Sequence, residues 1–179
     1  MKPTNEWDTL KRVIVGVADY AKIPPIDKSM RTVNYADVQD TSKIPVGNYP
    51  QQVIDEANED LDTFVRFLEE ESVEVVRPDR TNCSYYNYCP RDSVFIHGEK
   101  TLATPMPLRA RANEYKAFEQ HLTNVENLNQ YHPDELYNLQ CVGNPNKLAL
   151  TETTPAFDAA NIIRANDDIL YLVSNSGNK

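Results

Sequence analysis

Short apolar and β-branched runs, separated by polar and proline-rich stretches, predict a chain that contains many short buried strands. The clearest run is RVIVGVA at residues 12–18, which has polar residues on both sides. The runs at 93–96 and 101–104 flank a glycine-containing turn at 97–100 and predict a hairpin. The predicted strands are residues 12–18, 73–76, 93–96, 101–104, 148–150, 160–164 and 168–173.

Two stretches have the apolar spacing of an amphipathic helix. The first follows Pro50, which is tolerated in a first helical turn, and its acid-rich remaining surface is typical of a solvated helix face. The second helix is predicted over residues 111–122. The side chains predicted to face inward are Val53, Ala57, Leu61, Phe64, Val65 and Leu68 in the first helix, and Tyr115, Phe118 and Leu122 in the second.

Two long polar stretches interrupt this pattern. Residues 19–49 are rich in Pro, Asp, Lys and Tyr without a sustained period, which predicts a surface excursion of the kind that often covers a site. Residues 124–146 predict an irregular polar connection. The histidines His97, His121 and His132 lie in a turn, near a helix end and in this connection, so we predict that all three are surface or boundary residues.

The order of elements and the composition indicate one mixed α/β domain over residues 1–179. The helices and strands do not alternate regularly, as they would in a doubly wound sheet. A formal net charge of -9 argues against nucleic acid or an anionic membrane surface as a partner. The chain lacks an apolar run of membrane-spanning length and the apolar core of a signal peptide, so we expect a cytoplasmic protein. The oligomeric state stays open, a homo-oligomer included.

Two carboxylates stand at positions where they could serve a site. Asp92 ends the tetrapeptide CPRD before a predicted strand, and Asp158 lies in FDAAN between small or apolar residues. Taken alone, each has a simpler explanation, because Asp92 could cap backbone N–H groups and Asp158 could form an Asx-turn. Together they could hold a guanidinium, whose planar donors match carboxylates in bidentate geometry.

Other candidate chemistry is weaker. Cys83, Cys89 and Cys141 are an odd number without disulfide or zinc-site spacing, and no histidine stands at ligand spacing, so we expect no metal site. The chain has no glycine-rich phosphate loop. The tyrosines of residues 85–88 are interpreted as loop packing, because the acidic balance disfavours a base-stacking platform.

Four stretches, taken in order, resemble the glycine and inosamine amidinotransferases, which use arginine as donor. They begin with NEWD at 5–8 followed by VIVG at 13–16, and with RPD at 77–79. The others are PRD at 90–92 followed by ATPM at 103–106 and RAR at 109–111, and finally TETTPAFDAA at 151–160. The resemblance runs from about Asn5 to the last residue.

This resemblance implies a pentein fold, a ring of ββαβ modules around a central site. It also implies a reaction without metal or organic cofactor, in which a cysteine thiolate attacks the guanidino carbon of L-arginine and ornithine leaves. An acceptor amine then takes the amidino group from the covalent adduct, with a histidine as acid–base partner. By motif position, Asp92 would hold the substrate guanidinium, and Asp158 would orient the catalytic histidine and help bind the substrate.

The chain departs from the family pattern in two respects. Asn161 stands where the family motif has a second aspartate. The catalytic histidine and cysteine of the family lie beyond Lys179, and Cys83, Cys89 and Cys141 do not match that cysteine. We therefore expect the N-terminal part of one pentein domain, an incomplete ring that exposes apolar surface where further modules would pack and that is inactive alone.

Three questions remain open at this stage. The acceptor is glycine, an aminocyclitol phosphate or another amine. A guanidino-hydrolase or deiminase of the same fold is an alternative enzyme, in which water replaces the acceptor. A truncated binding protein without catalysis is the alternative outside enzymes.

Overall fold

The computed structural model describes residues 3–179 as a mixed α/β structure built of short elements. Its helices are α1 (Lys28–Val33), α2 (Gln51–Glu70) and α3 (Pro90–Ser93). Its strands are β1 (Arg12–Ile14), β2 (Lys22–Ile23), β3 (Gly47–Asn48), β4 (Glu74–Val76), β5 (Val94–His97), β6 (Lys100–Ala103), β7 (Val125–Asn127), β8 (Ile162–Ala165) and β9 (Asp168–Tyr171). Much of the remaining chain forms short 3₁₀ turns and loops. No helix in this part of the chain has the length and apolarity needed to cross a bilayer.

The strands form small sheets. β1 and β4 pair in parallel, with α2 as the crossover between them. β5, β6 and β7 form a three-stranded sheet in which β6 is antiparallel to β5 and parallel to β7. β2 with β3, and β8 with β9, are antiparallel pairs. The predicted strands at 12–18, 73–76 and 168–173 are therefore present but shorter, and the one predicted at 160–164 is present as Ile162–Ala165. Residues 148–150 contribute a single bridge from Leu150 to Tyr137.

The helix predicted after Pro50 is confirmed as α2, but part of its predicted inward face is wrong. Ile54 and Leu68 are buried, whereas Val53 and Phe64 are 46% and 50% exposed. The buried stripe of α2 meets a sheet of only two strands, β1 and β4, and packs there against residues such as Val15. Because so narrow a sheet covers little of the helix surface, apolar residues at the margin of the predicted face stay in solvent.

The predicted hairpin is confirmed in β5 and β6. His97 pairs with Lys100, so the connection is the two residues Gly98 and Glu99. Gly98 has φ of +61°, a left-handed conformation that glycine adopts without steric cost.

The second predicted helix is wrong, because residues 109–121 form successive 3₁₀ turns. The inward side chains Tyr115 and Phe118 are nevertheless buried. The backbone carbonyl of Glu114 accepts a hydrogen bond from Asn87, and that of Ala117 accepts one from the backbone N–H of Asp79. These carbonyls bond to a neighbouring loop instead of continuing an i→i−4 ladder, so the α-helical pattern is not propagated.

Residues 19–49 are not only a surface excursion. They contain α1, whose Asp27 caps the N-terminus by accepting a hydrogen bond from Met30 N at 2.8 Å. The Met30 side chain is fully buried and packs against Tyr86 and Leu108. One long apolar side chain thus anchors a largely polar segment to the core.

The prediction of an irregular polar connection at 124–146 is also incomplete. Residues 125–127 form β7, and Leu136, Tyr137 and Cys141 are buried together with Ala149 and Leu150. This second core is built from apolar residues that are widely spaced in a polar sequence.

His132 is the histidine whose predicted surface location is wrong. It is 1% exposed, with Nε2 3.3 Å from the carbonyl oxygen of Pro105 and Nδ1 3.5 Å from the Thr154 hydroxyl. Burial, together with the nearby charge of Arg109, lowers the pKa of His132 below its ordinary value of 6.5, although the Pro105 contact opposes this. His97 and His121 are half-buried, as expected for boundary residues.

This lowered pKa predicts a pH-dependent stability. Above pH about 6.5 the imidazole is neutral in both states, and below it the unfolded chain binds a proton that the folded chain resists. The free energy of unfolding should therefore fall as the pH drops from 7 to 5, by up to about 1.4 kcal/mol per pH unit from this group. Urea unfolding at each pH gives the free energy of unfolding, and its decrease from pH 7 to pH 5 should be smaller for His132→Asn than for the wild type. The assignment would be contradicted if His132→Asn showed the wild-type decrease, or if the half-buried control His121→Asn reduced the decrease equally.

Candidate functional site

A cavity of about 410 Å³ lies where α1, the loop before α3, and residues 106–111 meet Asp158 and Ser176. Its aromatic wall is formed by Tyr35, Tyr49, Tyr86 and Tyr88, and its polar end by Cys89, Arg111, Asp158 and Ser176. Tyr35 and Tyr49 belong to the excursion of residues 19–49, which therefore borders the cavity.

A glycine allows the loop with Tyr88 and Cys89 to approach the strand that follows β1. A Cβ on Gly16 would lie 2.5 Å from the Asn87 carbonyl oxygen and from the Tyr88 Cα. Val17 N also donates to the Asn87 carbonyl at 3.3 Å. The glycine of VIVG is thus required by close backbone packing beneath the cavity.

Asp92 lies in α3 beside the cavity and is already bound to a guanidinium of its own chain. Its Oδ2 accepts a hydrogen bond from Arg111 Nη1 at 2.8 Å. Asp92 is not among the residues that line the cavity. The simpler explanation of Asp92 as a backbone cap is not supported, because in residues 3–179 its carboxylate bonds to this side chain.

Arg111 connects Asp92 to a second, more deeply buried carboxylate. Its Nε donates to Glu114 Oε2 at 2.6 Å, and its Nη2 donates to the Cys89 carbonyl at 3.3 Å. Arg111 is 8% exposed and Glu114 2% exposed. Burial acts to lower the pKa of Arg111, but Glu114 and Asp92 outweigh it and raise that pKa, so the guanidinium stays charged.

Asp158 presents a half-buried carboxylate at the polar end of the cavity. Its Oδ1 accepts a hydrogen bond from Asn161 Nδ2 at 3.1 Å. Burial raises the pKa of Asp158 above its ordinary 3.8 and the charge of Asp92 adds to this, whereas the Ser176 hydroxyl, Arg111 and the backbone N–H of Ala160 lower it. The Asp158 side chain makes no capping hydrogen bond to the turn that follows it, so the Asx-turn explanation is not supported, and the side chain lines the cavity.

The fold thus brings the two predicted carboxylates into one charged cluster, with Arg111 among them. α3 packs against the Ala159–Asn161 turn that follows Asp158, and Arg91, next to Asp92, donates from Nη2 to the Ile162 carbonyl at 3.0 Å. Sequence analysis missed Arg111 and Glu114 as site residues. Their i, i+3 spacing and opposite charges were a usable signal, since such pairs meet on a turn.

Asn161 links Asp158 to the segment of residues 174–176 at the polar end of the cavity through hydrogen bonds of its side-chain amide. Its Nδ2 donates to Asp158 and to the Ser176 backbone and hydroxyl oxygens at 3.0 and 3.1 Å, and its Oδ1 accepts from the Ser174 hydroxyl at 2.8 Å. A Cβ on Gly177 would lie 2.8 Å from this Nδ2, so the backbone is tightly packed around the amide. An amide, unlike the family's aspartate, can donate to Asp158.

Asn161→Asp is therefore expected to destabilise the chain by about 1–3 kcal/mol, because it removes the donors to Asp158 and Ser176 and places two carboxylates in contact. Urea denaturation at pH 7 measures this, and the loss should shrink at acidic pH as the carboxylates become protonated. Asn175→Asp is the matched control, since Asn175 uses its Oδ1 to accept from Ala149 N and an aspartate keeps that contact. Equal effects of the two substitutions would contradict the role of Asn161.

The three cysteines have the properties of thiols rather than of nucleophilic thiolates. All three are free. Burial, helped by Asp19 and Asp79, raises the pKa of Cys83 to about 11. Burial, with Asp92 adding to it, raises the pKa of Cys89, which lines the cavity, and burial raises that of Cys141. A cysteine nucleophile needs the opposite shift.

The aromatic wall belongs to the core as well as to the cavity. Tyr86 and Tyr88 pack edge to face with ring centroids 5.8 Å apart, and they join a cluster with Met30 and Leu108. This agrees with the interpretation of these tyrosines as loop packing.

Comparison with known proteins shows relatives along nearly the whole chain. The chain is 37% identical to inosamine-phosphate amidinotransferase 1 of Streptomyces griseus, over 98% of this chain and 56% of that protein. It is 31% identical to the L-arginine:L-lysine amidinotransferase of Pseudomonas savastanoi pv. phaseolicola, over 97% of this chain and 55% of that protein. It is 30% identical to the mitochondrial glycine amidinotransferase of Gallus gallus, over 92% of this chain and 46% of that protein. No family model matches the sequence.

Solved structures agree with these relationships. The inosamine-phosphate amidinotransferase of Streptomyces griseus superposes with a TM-score of 0.88 at 36% identity, covering 99% of this chain and 56% of that one. An amidinotransferase of the saxitoxin biosynthetic pathway from Microseira wollei gives a TM-score of 0.80 at 27% identity over the same shares. The chain spans about half the length of the curated relatives that it matches. Within that span, the chain resembles amidinotransferases both in sequence and in fold.

Proposed function

We propose that this chain is the N-terminal, carboxylate-bearing part of an arginine-dependent amidinotransferase, and that its cavity binds the guanidinium of L-arginine. The observation that carries the proposal is that Asp92 and Asp158, from two separate motifs, lie on elements that pack together beside the cavity: α3, which contains Asp92, contacts the Ala159–Asn161 turn that Asp158 precedes, and Asp158 lines the cavity. Carboxylates are suited to a guanidinium, because its planar donors bind them in bidentate geometry. The names of the relatives, which are amidinotransferases, support the same chemistry.

In the proposed reaction, a cysteine thiolate attacks the guanidino carbon, and the bond from that carbon to the ornithine nitrogen breaks. A histidine supplies the proton that the leaving ornithine amine requires. The acceptor amine then attacks the amidino carbon, loses a proton to the histidine and releases the thiolate. Atoms and charge balance without a further reactant.

We place the reacting cysteine and histidine outside residues 1–179. The raised pKa values of Cys83, Cys89 and Cys141 support this placement, because each thiol is protonated at neutral pH. The matched share of the relatives, about half, leaves room for a second part that carries both groups. Within this chain, Asp158 is proposed to orient the histidine and contact the substrate, and Asp92 to hold the guanidinium.

The fold is proposed to be an incomplete pentein ring that the second part completes. The pair β8 and β9 supports this, because large apolar side chains are exposed on both of its faces. Ile163 and Leu170, which are paired across the two strands, lie on one face, and Leu172 is exposed just after β9. Ile169 lies on the other face, where it lines a mostly apolar cavity of about 270 Å³. The acceptor is proposed to be an amine, since the relatives are named for inosamine-phosphate, lysine and glycine.

The proposal predicts opposite results for the chain alone and for a completed protein. Incubated with L-arginine, the 179-residue chain should give no amidino adduct by intact mass spectrometry and should release no ornithine. The chain fused to the unmatched part of the Streptomyces griseus relative should release ornithine when an acceptor amine is added, and the same fusion with Asp158→Asn should not. A folded fusion that is inactive, or an active chain alone, would contradict the proposal. Citrulline as product would favour a deiminase instead.

A further inference from the structure

The carboxylate of Asp92, which the proposed function assigns to the substrate guanidinium, is engaged at one oxygen only. Asp92 Oδ2 accepts from Arg111 Nη1 at 2.8 Å. Within residues 3–179, no hydrogen bond to Oδ1 is formed, while the Asp92 backbone carbonyl accepts from the Thr104 hydroxyl at 3.1 Å. A carboxylate has acceptor sites on both oxygens, so a second guanidinium can be bound without displacing Arg111.

Arg111 is itself held rigidly from the opposite side. Its Nε bonds to Glu114 at 2.6 Å, its Nη2 bonds to the Cys89 carbonyl at 3.3 Å, and its Cζ lies 5.3 Å from the Tyr86 ring centroid. Glu114 in turn accepts from Tyr86 N at 2.6 Å. The Nε and Nη2 donors thus end on a buried carboxylate and on a backbone carbonyl, which fixes the orientation in which Nη1 meets Asp92.

We propose that Arg111 is a positioning residue for arginine binding: it fixes Asp92 through Oδ2 and thereby directs Oδ1 to the guanidinium of the bound substrate. This inference rests on the proposed function and names the residue on which the Asp92 contact depends. Arg111 does not touch the reacting atoms in this account. It acts through Asp92.

The chemistry of the cluster favours an arginine in this role. One planar guanidinium bonds Asp92, Glu114 and a carbonyl at the same time, which the single ammonium of a lysine cannot reproduce in the same geometry. Arg111 also supplies the positive charge of a cluster that contains the carboxylates of Asp92, Glu114 and Asp158. Arg111 is among the groups that lower the pKa of Asp158 and of Glu114, so without its charge these two carboxylates take up protons more readily and negative charge is lost from the site.

The test compares L-arginine binding by the wild-type chain, Arg111→Lys and Arg111→Met, by calorimetry between pH 5 and 8. Arg111→Met should weaken binding by about 10–100-fold, the loss expected for a charge-assisted contact. Its loss of binding on acidification should begin at a higher pH than in the wild type, because Arg111 is one of the groups that lower the pKa of Asp158. Arg111→Lys should keep the wild-type pH profile, since it keeps the charge, but should recover only part of the affinity.

Two controls separate positioning from general destabilisation. Arg109→Lys alters an arginine of the same turn whose guanidinium binds Asp134 and the His132 carbonyl instead of Asp92, so it should leave the affinity and the pH profile unchanged. In an Asp92→Asn background, Arg111→Lys should have no further effect on affinity, because the two residues act as one unit. This comparison uses the Lys variants and does not depend on whether Arg111→Met folds.

The outcomes are distinguishable. If the wild-type chain does not bind L-arginine, the proposed function fails, and the inference fails with it. If the wild type binds but Arg111→Lys has the same affinity, or if its effect is equally large with and without Asp92, the inference alone is overturned.

Discussion

Asp158→Asn is expected to weaken L-arginine binding by about 100-fold. The substitution keeps the size of the side chain and its contact distance to Asn161, but it removes the negative charge at the polar end of the cavity. Loss of one partner from a hydrogen-bonded charge pair of this kind costs about 2–5 kcal/mol. Isothermal titration at pH 7 measures the change. Asp168→Asn, on the exposed strand β9, is the matched control and should bind as the wild type does.

The same carboxylate sets the pH dependence of binding. Because burial raises the pKa of Asp158 above 3.8, the group is protonated at a higher pH than an ordinary aspartate, and arginine binding should decline there as the pH falls. Binding that is unaffected by Asp158→Asn, or equally affected by Asp168→Asn, would show that another group holds the guanidinium.

Arg111→Met is expected to destabilise the folded chain by about 3–5 kcal/mol, the cost of removing one member of a buried ion pair. It leaves Glu114, 2% exposed, without its cation, and leaves Asp92 without its donor. Urea unfolding measures the free energy of unfolding. Arg66→Met, on the solvent face of α2, removes an arginine whose bond is to the nearby Thr63 hydroxyl and should change stability by less than about 0.5 kcal/mol.

The double variant Arg111→Met/Glu114→Gln should be more stable than Arg111→Met. It removes the buried charge that the single variant leaves unpaired, while the amide oxygen still accepts from the buried backbone N–H of Tyr86. The Glu114 substitution should therefore have a different effect in the Arg111→Met background than in the wild type. If it lowers the free energy of unfolding by the same amount in both backgrounds, the two residues do not form the coupled pair that the structure shows.

The elements that could be predicted from the sequence are those whose apolar spacing or turn residues match the hydrogen bonds and packing that they make in the folded chain. α2 has twenty residues of continuous helical spacing, and the β5–β6 hairpin has a glycine at the position that needs a left-handed conformation. Residues 109–121 also have helical spacing, but their carbonyls bond to a loop distant in sequence. No local pattern reports such a partner, so this prediction failed.

The burial of Met30 and His132, which lie in polar segments, was not predicted for a related reason. Met30 and His132 are each buried by residues far away in the chain, and their immediate neighbours are mostly polar. Hydrophobic periodicity needs several apolar residues in register and therefore does not detect a single anchor.

The site was predictable only in part. Asp92 and Asp158 were selected by their motifs, whereas their spacing carried no indication that they converge. Arg111 appeared within a motif without an assigned role, and its contacts with Asp92 and the Cys89 carbonyl became visible only in the folded chain.

Recognition of a guanidinium by this cavity can be measured by titrating the 179-residue chain with L-arginine and with L-citrulline, followed by NMR. Citrulline has nearly the same shape but carries a neutral ureido group in place of the guanidinium. We expect saturable binding of L-arginine with shifts centred on Asp158, Ser176 and Tyr88, and binding of L-citrulline that is weaker by about tenfold or more, because a charge-assisted contact is lost. Equal affinity for the two ligands, or no saturable binding of L-arginine, would contradict recognition of the guanidinium.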